Sequence, residues 1–186
     1  MTVVARDQLS NGRSSVVDGR ATTEMKIRDA NDADLPAILE IYNHAVLTRI
    51  STAQLKPVTI EERKDWIHEH SPERHPFWVA EIDGVVAAWL TIKAFIPRCA
   101  YEGTVELSVY VSERFRRRGV ARRLLEEAIA RGRSLGITAM VGLIFGHNHA
   151  SLKLFELLGF ERWGLLPGVA QLDGVERDLI IMGRHV

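Results

Sequence analysis

The segment VELSVYVSERFRRRGVARRLLEEAIARG, residues 105–132, constrains the chain more than any other stretch. Along VELSVYV, Val105, Leu107, Val109 and Val111 alternate with Glu106, Ser108 and Tyr110, and residues two apart on a strand share a face. One face of this strand is therefore core, and the other is free to build a site. Five of the eight residues 116–123 are arginine, and they surround a Gly119-Val120-Ala121 turn. Past the turn, Val120, Leu124, Leu125, Ala128 and Ile129 recur at helical spacing. A strand that feeds a small-residue turn and then a helix aims the helix's unpaired N–H groups and positive dipole end at that turn, where glycine lets a ligand approach the backbone. Such a turn suits a pyrophosphate. Arg122 and Arg123 stay free for solvent or a further phosphate, and the competing reading makes Arg117, Arg118 and Arg122 no more than a solvated helix start.

The rest of the chain supplies a frame for this unit. MKIRDA reads as a strand, and Leu35, Ile38, Leu39, Tyr42, Ala45 and Val46 mark a helix behind a cap at Asn31. Thr59 with Glu62 matches a capping box opening a second helix. FWVAEI and VVAAWLTIK flank Asp83-Gly84 as a hairpin. Then follow GTVELSVYV, a helix over about 119–135, the strand TAMVGLIF, a helix over about 149–158 stopped by Gly159, and two last strands in FERWGLLPG and RDLIIMG. Strands that first come in a run and then alternate with helices predict a mixed α/β sheet with helices on both faces, in one domain over 25–186 behind a flexible extension over 1–24.

Bulk properties exclude several classes. Lys plus Arg equals Asp plus Glu at 24 each, so no global basic field favours nucleic acid or an anionic membrane. Cys99 is the single cysteine, which rules out an intrachain disulfide and suits a reducing compartment. No apolar run is long enough to span a bilayer. Neither G-x-x-x-x-G-K-[ST] nor G-x-G-x-x-G after a strand is present, so the P-loop and dinucleotide-binding readings lack their key residues.

With those removed, the sequence resembles the GNAT N-acetyltransferase superfamily. Arg116, Gly119 and Ala121 match its [QR]-x-x-G-x-[GA] coenzyme loop, and NHASLKLFELLGF supplies a second match in order at Asn148, Ser151, Gly159 and Phe160. KIRDANDADLPAILEIYNHAV, FWVAEIDGVVA and AYEGTVELSVYVSERFRRRGVARRLL narrow the resemblance to the phosphinothricin and methionine sulfoximine acetyltransferase branch, over about residues 26–180. The resemblance implies an acyltransferase fold with a central, mixed but mostly antiparallel twisted sheet. It also implies a cytoplasmic homodimer with acceptor sites near the subunit boundary, acetyl-coenzyme A as cosubstrate with no metal, and a small amino-acid-like amine as acceptor. Glu106 matches the residue taken as general base. Val109, Tyr110, Val111, Arg116, Arg117, Arg118, Gly119, Val120, Ala121, Asn148 and Ser151 match the coenzyme-contacting segments, with a bulge in the strand carrying Val109 and Tyr110. The alternative for Glu106 is a solvent-facing strand carboxylate.

Two departures stand out. Where the family carries a tyrosine or histidine thought to protonate the leaving thiolate, this chain has Phe155, and LDGVERDLIIM replaces the tryptophan- and histidine-containing hairpin of the herbicide-detoxifying members. Trp89, Phe95 and Tyr101 are candidates for the acceptor pocket, with core packing as the alternative. His68, His70, His147 and His149 lack helical zinc spacing and read as surface or loop residues. Cys99 reads as a small, partly buried side chain. Two other functions stay open: a non-catalytic acyl-coenzyme A binding module, for which Phe155 is the hint, and acetylation of a peptide or protein amine.

Overall fold

The computed structural model describes residues 24–186. The expected extension over 1–24 lies outside the described residues except for Glu24. Seven strands form one sheet: β1 (Met25–Asp29), β2 (Phe77–Ile82), β3 (Val85–Ala94), β4 (Thr104–Val111), β5 (Ala139–Phe145), β6 (Glu161–Leu172) and β7 (Val175–His185), in the spatial order β1-β2-β3-β4-β5-β7-β6. Every neighbouring pair is antiparallel except β4 and β5. The helices are α1 (Leu35–Thr48), the single turn α2 (Ile60–Arg63), α3 (Val120–Arg131) and α4 (His149–Leu157).

Strand alternation sorts the core into two layers. On one face Trp78, Ala80 and Ile82 of β2, Ala88, Leu90 and Ile92 of β3, and Val105 and Leu107 of β4 pack against Val120, Leu124, Leu125 and Ala128 of α3 and Phe155 of α4. On the other face Phe77, Val79 and Trp89 meet Leu35, Ile38, Leu39, Tyr42 and Val46 of α1. Each fully buried Leu or Ile in such a layer contributes about 1.5–3 kcal/mol from apolar transfer. The expected mixed sheet with helices on both faces is thus observed.

Local differences have local causes. Asn31 caps a short turn over Asp32–Asp34, closed by a reciprocal bond from the Asn31 N–H to Asp34, and α1 proper starts at Leu35 with a proline in its first turn. The expected helix over 119–135 stops at Arg131, and the chain reaches Leu135 through a tighter turn ended by Gly136 at φ 74°. β6 runs past the Pro167-Gly168 break that limited the sequence reading, because the ladder with β7 absorbs it as an irregularity between Leu166 and Ala170. Asp83-Gly84 makes the expected hairpin turn, with both residues at positive φ.

The feature that positions the site is the β4–β5 junction. These parallel strands pair only over Thr104–Glu106 against Ala139–Val141 and then part. From Leu107 onward β4 keeps its β3 partner but, among the described residues, has no strand on the β5 side.

Candidate active site

Glu106, Ser108 and Tyr110 leave β4 on the α1 face and line a cleft of about 680 Å³. Trp89 forms part of its floor, 1% exposed and stacked on Tyr110 with ring centroids 4.4 Å apart. Its indole N–H donates to the Ile38 carbonyl at 3.2 Å. Tyr42 and Trp66 meet edge to face at 5.5 Å above this floor. The loop after α1 closes one side: the Tyr110 hydroxyl donates to the Ser51 carbonyl at 3.2 Å, and the Tyr42 and Thr52 hydroxyls lie 3.0 Å apart. Burial raises the Tyr110 phenol above its ordinary value, which keeps it protonated.

The cleft carries both signs of charge, from Arg63, Lys93, Glu69 and Glu106. Glu106 Oε1 lies 3.2 Å from Lys93 Nζ, the carboxylate side chain 15% exposed and the lysine 53%. His70 also lines the cleft, half-buried, and its Nδ1 lies 3.0 Å from the Trp66 carbonyl. A carbonyl can only accept, so Nδ1 donates, and burial holds the imidazole below its ordinary value.

A second groove, of about 480 Å³, runs along the end of β4 and the start of α3. Val109, Tyr110, Val111, Arg116, Arg117, Gly119, Val120 and Ala121 line it together with Asn148 and Ser151 from the start of α4. Gly119 caps α3 at φ 77° with no side-chain cap, and a Cβ there would meet nothing within 4 Å. The space beside Gly119 is open, and a helix start without a side-chain cap leaves its first-turn N–H groups suited to an anion. At α4 the buried Asn148 accepts the Ser151 N–H at 3.2 Å. The groove and the cleft share Tyr110 and Ser51. Between them the parting of β4 and β5 leaves a small gap lined by Ser108, Val109, Leu143, Ser151 and Phe155.

Several expectations need correction. Arg118 does not line the groove: its guanidinium sits over the Phe115 ring at 5.4 Å, beside a hollow with Met25 and Ile82. Phe95 and Tyr101 do not line the cleft, because β3 ends at Ala94 and the chain turns away through Cys99–Tyr101, leaving Tyr101 43% exposed. Cys99 on that turn is exposed, not partly buried. The expected bulge is not on the β3–β4 ladder, whose register is continuous from Ala88 opposite Val111 to Ala94 opposite Val105; the free edge of β4 comes instead from its divergence from β5. His70 lies in a loop, as expected, and that loop brings it to the cleft wall.

Sequence reasoning missed Tyr42, Arg63, Trp66, Glu69, His70 and Lys93 as cleft residues. Signals existed. Arg63, Trp66 and His70 have helix-like spacing after the Thr59 capping box, and Lys93 continues the alternation of Trp89 and Thr91 on β3. Among the described residues no three His, Cys, Asp or Glu side chains gather in a way that could hold a metal ion.

A strand that feeds an uncapped, glycine-led helix start beside a splayed parallel pair defines an acetyltransferase architecture, and residues 37–160 match the acetyltransferase (GNAT) family model. The chain belongs to this family and is a GNAT acetyltransferase. Its relatives include a Bacillus subtilis protein, YwnH, that carries phosphinothricin acetyltransferase in its name and is 45% identical over 163 residues, 87% of this chain and 99% of the relative. The L-methionine sulfoximine/L-methionine sulfone acetyltransferase of Pseudomonas paraeruginosa is 38% identical over 84% of this chain and 91% of its own length. Among solved structures, a phosphinothricin acetyltransferase from Sinorhizobium meliloti in complex with acetyl-coenzyme A superimposes with a TM-score of 0.82 at 32% identity, covering 87% of this chain and 88% of that one.

Proposed function

We propose that the protein moves the acetyl group of acetyl-coenzyme A to the primary amine of a small amino-acid-like acceptor, of the phosphinothricin or methionine sulfoximine kind, by direct attack with Glu106 as general base. One observation carries the reading. Glu106 stands in the cleft, on the face of β4 that leads through Tyr110 to the groove at the start of α3. The names of the relatives support the acceptor class.

The chain's residues suit the chemistry. An ammonium is not a nucleophile, so a carboxylate within reach must accept its proton, directly or through water, before the nitrogen attacks the thioester. The first-turn N–H groups of α3, with Arg116 and Arg117, suit the pyrophosphate of the coenzyme, and Val111, Val120, Ala121, Asn148 and Ser151 line its path. The backbone N–H of Val109 lies on the edge that β5 leaves open and suits a developing oxyanion, whereas Tyr110 turns its N–H to β3, in step with the Ser112 N–H that donates to Ala87. Phe155, 3% exposed in the gap, has no proton to give, so thiolate protonation falls to Ser151 or water.

We assign the active form as a homodimer. β6 is an edge strand of twelve residues, paired with β7 on one side and, among the described residues, with no strand on the other, and Trp163, Leu165, Leu166 and Val169 on it are all more than 40% exposed. Such an edge is ordinarily covered. Phe145 of β5 and Leu179 of β7, adjoining this region of the sheet, line the cleft, so the acceptor site lies towards the proposed boundary. An exposed free Cys99 suits the cytoplasm, and among the described residues no helix is long and apolar enough to cross a membrane.

Phe155 favours one other reading, a coenzyme-binding module without turnover. Thiol release from acetyl-coenzyme A over a panel of amino acids, methionine sulfoximine, methionine sulfone, phosphinothricin and peptides separates the readings. The acetyltransferase reading expects release with free amino-acid-like acceptors. Coenzyme binding without release on any acceptor would establish the module, and release with peptides alone would establish a protein-modifying enzyme.

A further inference from the structure

The carboxylate that the proposed chemistry uses already has a cation beside it. Lys93 is the register partner of Glu106 across β3 and β4, its Nζ is 3.2 Å from Glu106 Oε1, and both side chains line the cleft. The sunken member is Glu106, 15% exposed, while Lys93 at 53% faces open space and keeps its reach. An acceptor ammonium that comes to Glu106 therefore arrives where a lysine ammonium stands, and like charges at that range repel. A simple amine would leave Lys93 displaced from its anion and close to a second cation. An α-amino acid brings its own remedy, because its carboxylate is one carbon from its ammonium, a separation close to that of the Lys93–Glu106 pair. The single ion pair can then become two: acceptor ammonium with Glu106, and acceptor carboxylate with Lys93.

The other charged cleft residues leave this role to Lys93. The Arg63 guanidinium lies over the Trp66 ring at 5.1 Å, Glu69 has the wrong sign, and burial of His70 and His75 favours their neutral forms. We propose that Lys93 is a specificity-determining residue that selects free α-amino acids over simple amines and over amines whose neighbouring carboxyl is amidated, as in a peptide, by exchanging Glu106 for the acceptor's carboxylate. This rests on the acceptor reading above. Lys93 is a departure point for recognition and carries no proton in the reaction.

Calorimetry on the full chain saturated with coenzyme A tests the idea without requiring turnover. The probes are L-methionine sulfone, its carboxamide, and its decarboxylated analogue 3-(methylsulfonyl)propan-1-amine. The native protein binds the acid about tenfold or more tightly than either other probe, the scale of one charge-assisted hydrogen bond. Lys93→Met, which keeps the apolar stem, removes most of that preference by weakening the acid alone. Lys93→Gln does the same, and Lys93→Arg retains the preference. An equal affinity of the native protein for all three probes overturns the proposal. So does a preference that survives in both charge-free variants, or a uniform loss on every probe. Turnover of Glu106→Gln is measured alongside, so failure of the base assignment shows in rate and failure of the Lys93 assignment shows in relative affinity.

Discussion

At the scale of single residues, Glu106 decides between a catalyst and a binder. Glu106→Gln keeps the shape of the side chain and removes its ability to take a proton, so turnover falls by roughly 10² to 10⁴ at neutral pH. Coenzyme affinity stays unchanged, since Glu106 lines the cleft and not the groove. The loss shrinks as pH rises, because more acceptor arrives already deprotonated; near-native kcat from pH 6 to 9 would remove Glu106 from the mechanism. His70 gives a second residue-scale test, in stability. Its imidazole is held by burial below an ordinary value of 6.5, so the fold favours the neutral ring. A depressed group contributes stability that is complete above its unfolded value and is lost as pH falls through its folded value. The thermal midpoint of the native protein therefore drops as pH is lowered below about 6.5, and His70→Gln flattens that drop; His75, depressed mainly by burial as well, leaves a residual slope. Parallel profiles for both proteins would show that His70 titrates without penalty. Glu106 was legible in the sequence because alternation along β4 puts it opposite Val105 and Leu107. The face that Lys93 shares with Trp89 and Thr91 was legible in the same way, but its pairing with Glu106 was not, because that depends on the register of β3 and β4, which no local pattern states.

At the scale of elements, the decisive unit is β4, its turn and α3. The turn was readable because each part obeys a local rule: alternation on the strand, glycine at φ 77° before the helix, and an apolar stripe at helical spacing. Its bounding arginines were less readable. Arg116 and Arg117 face the groove while Arg118 turns onto Phe115, and a run of identical side chains does not declare which of them a left-handed Arg117, at φ 62°, sends to the other side. The β4–β5 parting was hidden for a different reason, since a parallel pair is joined through α3 and its extent is set by packing far along the chain. Gly119→Val tests the unit as a whole. A β-branched residue at positive φ strains the backbone, and its side chain occupies the open space above the α3 N-terminus. Coenzyme affinity, measured by calorimetry with the fold checked by circular dichroism, falls about tenfold or more, equivalent to about 1.4 kcal/mol. Unchanged affinity would move the pyrophosphate site away from this turn.

At the scale of the whole molecule, the order β1-β2-β3-β4-β5-β7-β6 places the cleft and the groove on either side of a divergence in the sheet, the positions proposed for acceptor and coenzyme. The class of fold was legible from the succession of strands and helices, because local periodicity survives in any context. The long β6–β7 hairpin was underestimated because Pro167-Gly168 reads as a stop, whereas an edge strand tolerates both residues at an irregularity. That same edge position gives the last expectation its basis. Trp163, Leu165, Leu166, Val169 and Val175 are exposed on the two strands, and Arg49 meets the hairpin turn through a bidentate contact with Asp173. An apolar edge of this kind is suited to a second copy of itself in a closed two-fold pair. Light scattering therefore gives about twice the chain mass of 20.9 kDa at micromolar concentration. Placing charges at the centre of the edge with Leu165→Glu and Leu166→Glu shifts the mass to that of one chain, and acceptor affinity weakens with it if the cleft draws on the boundary beside Phe145 and Leu179. A native mass of one chain would rule out self-pairing at this edge, and a double variant that stays dimeric would put the interface on another face of the molecule.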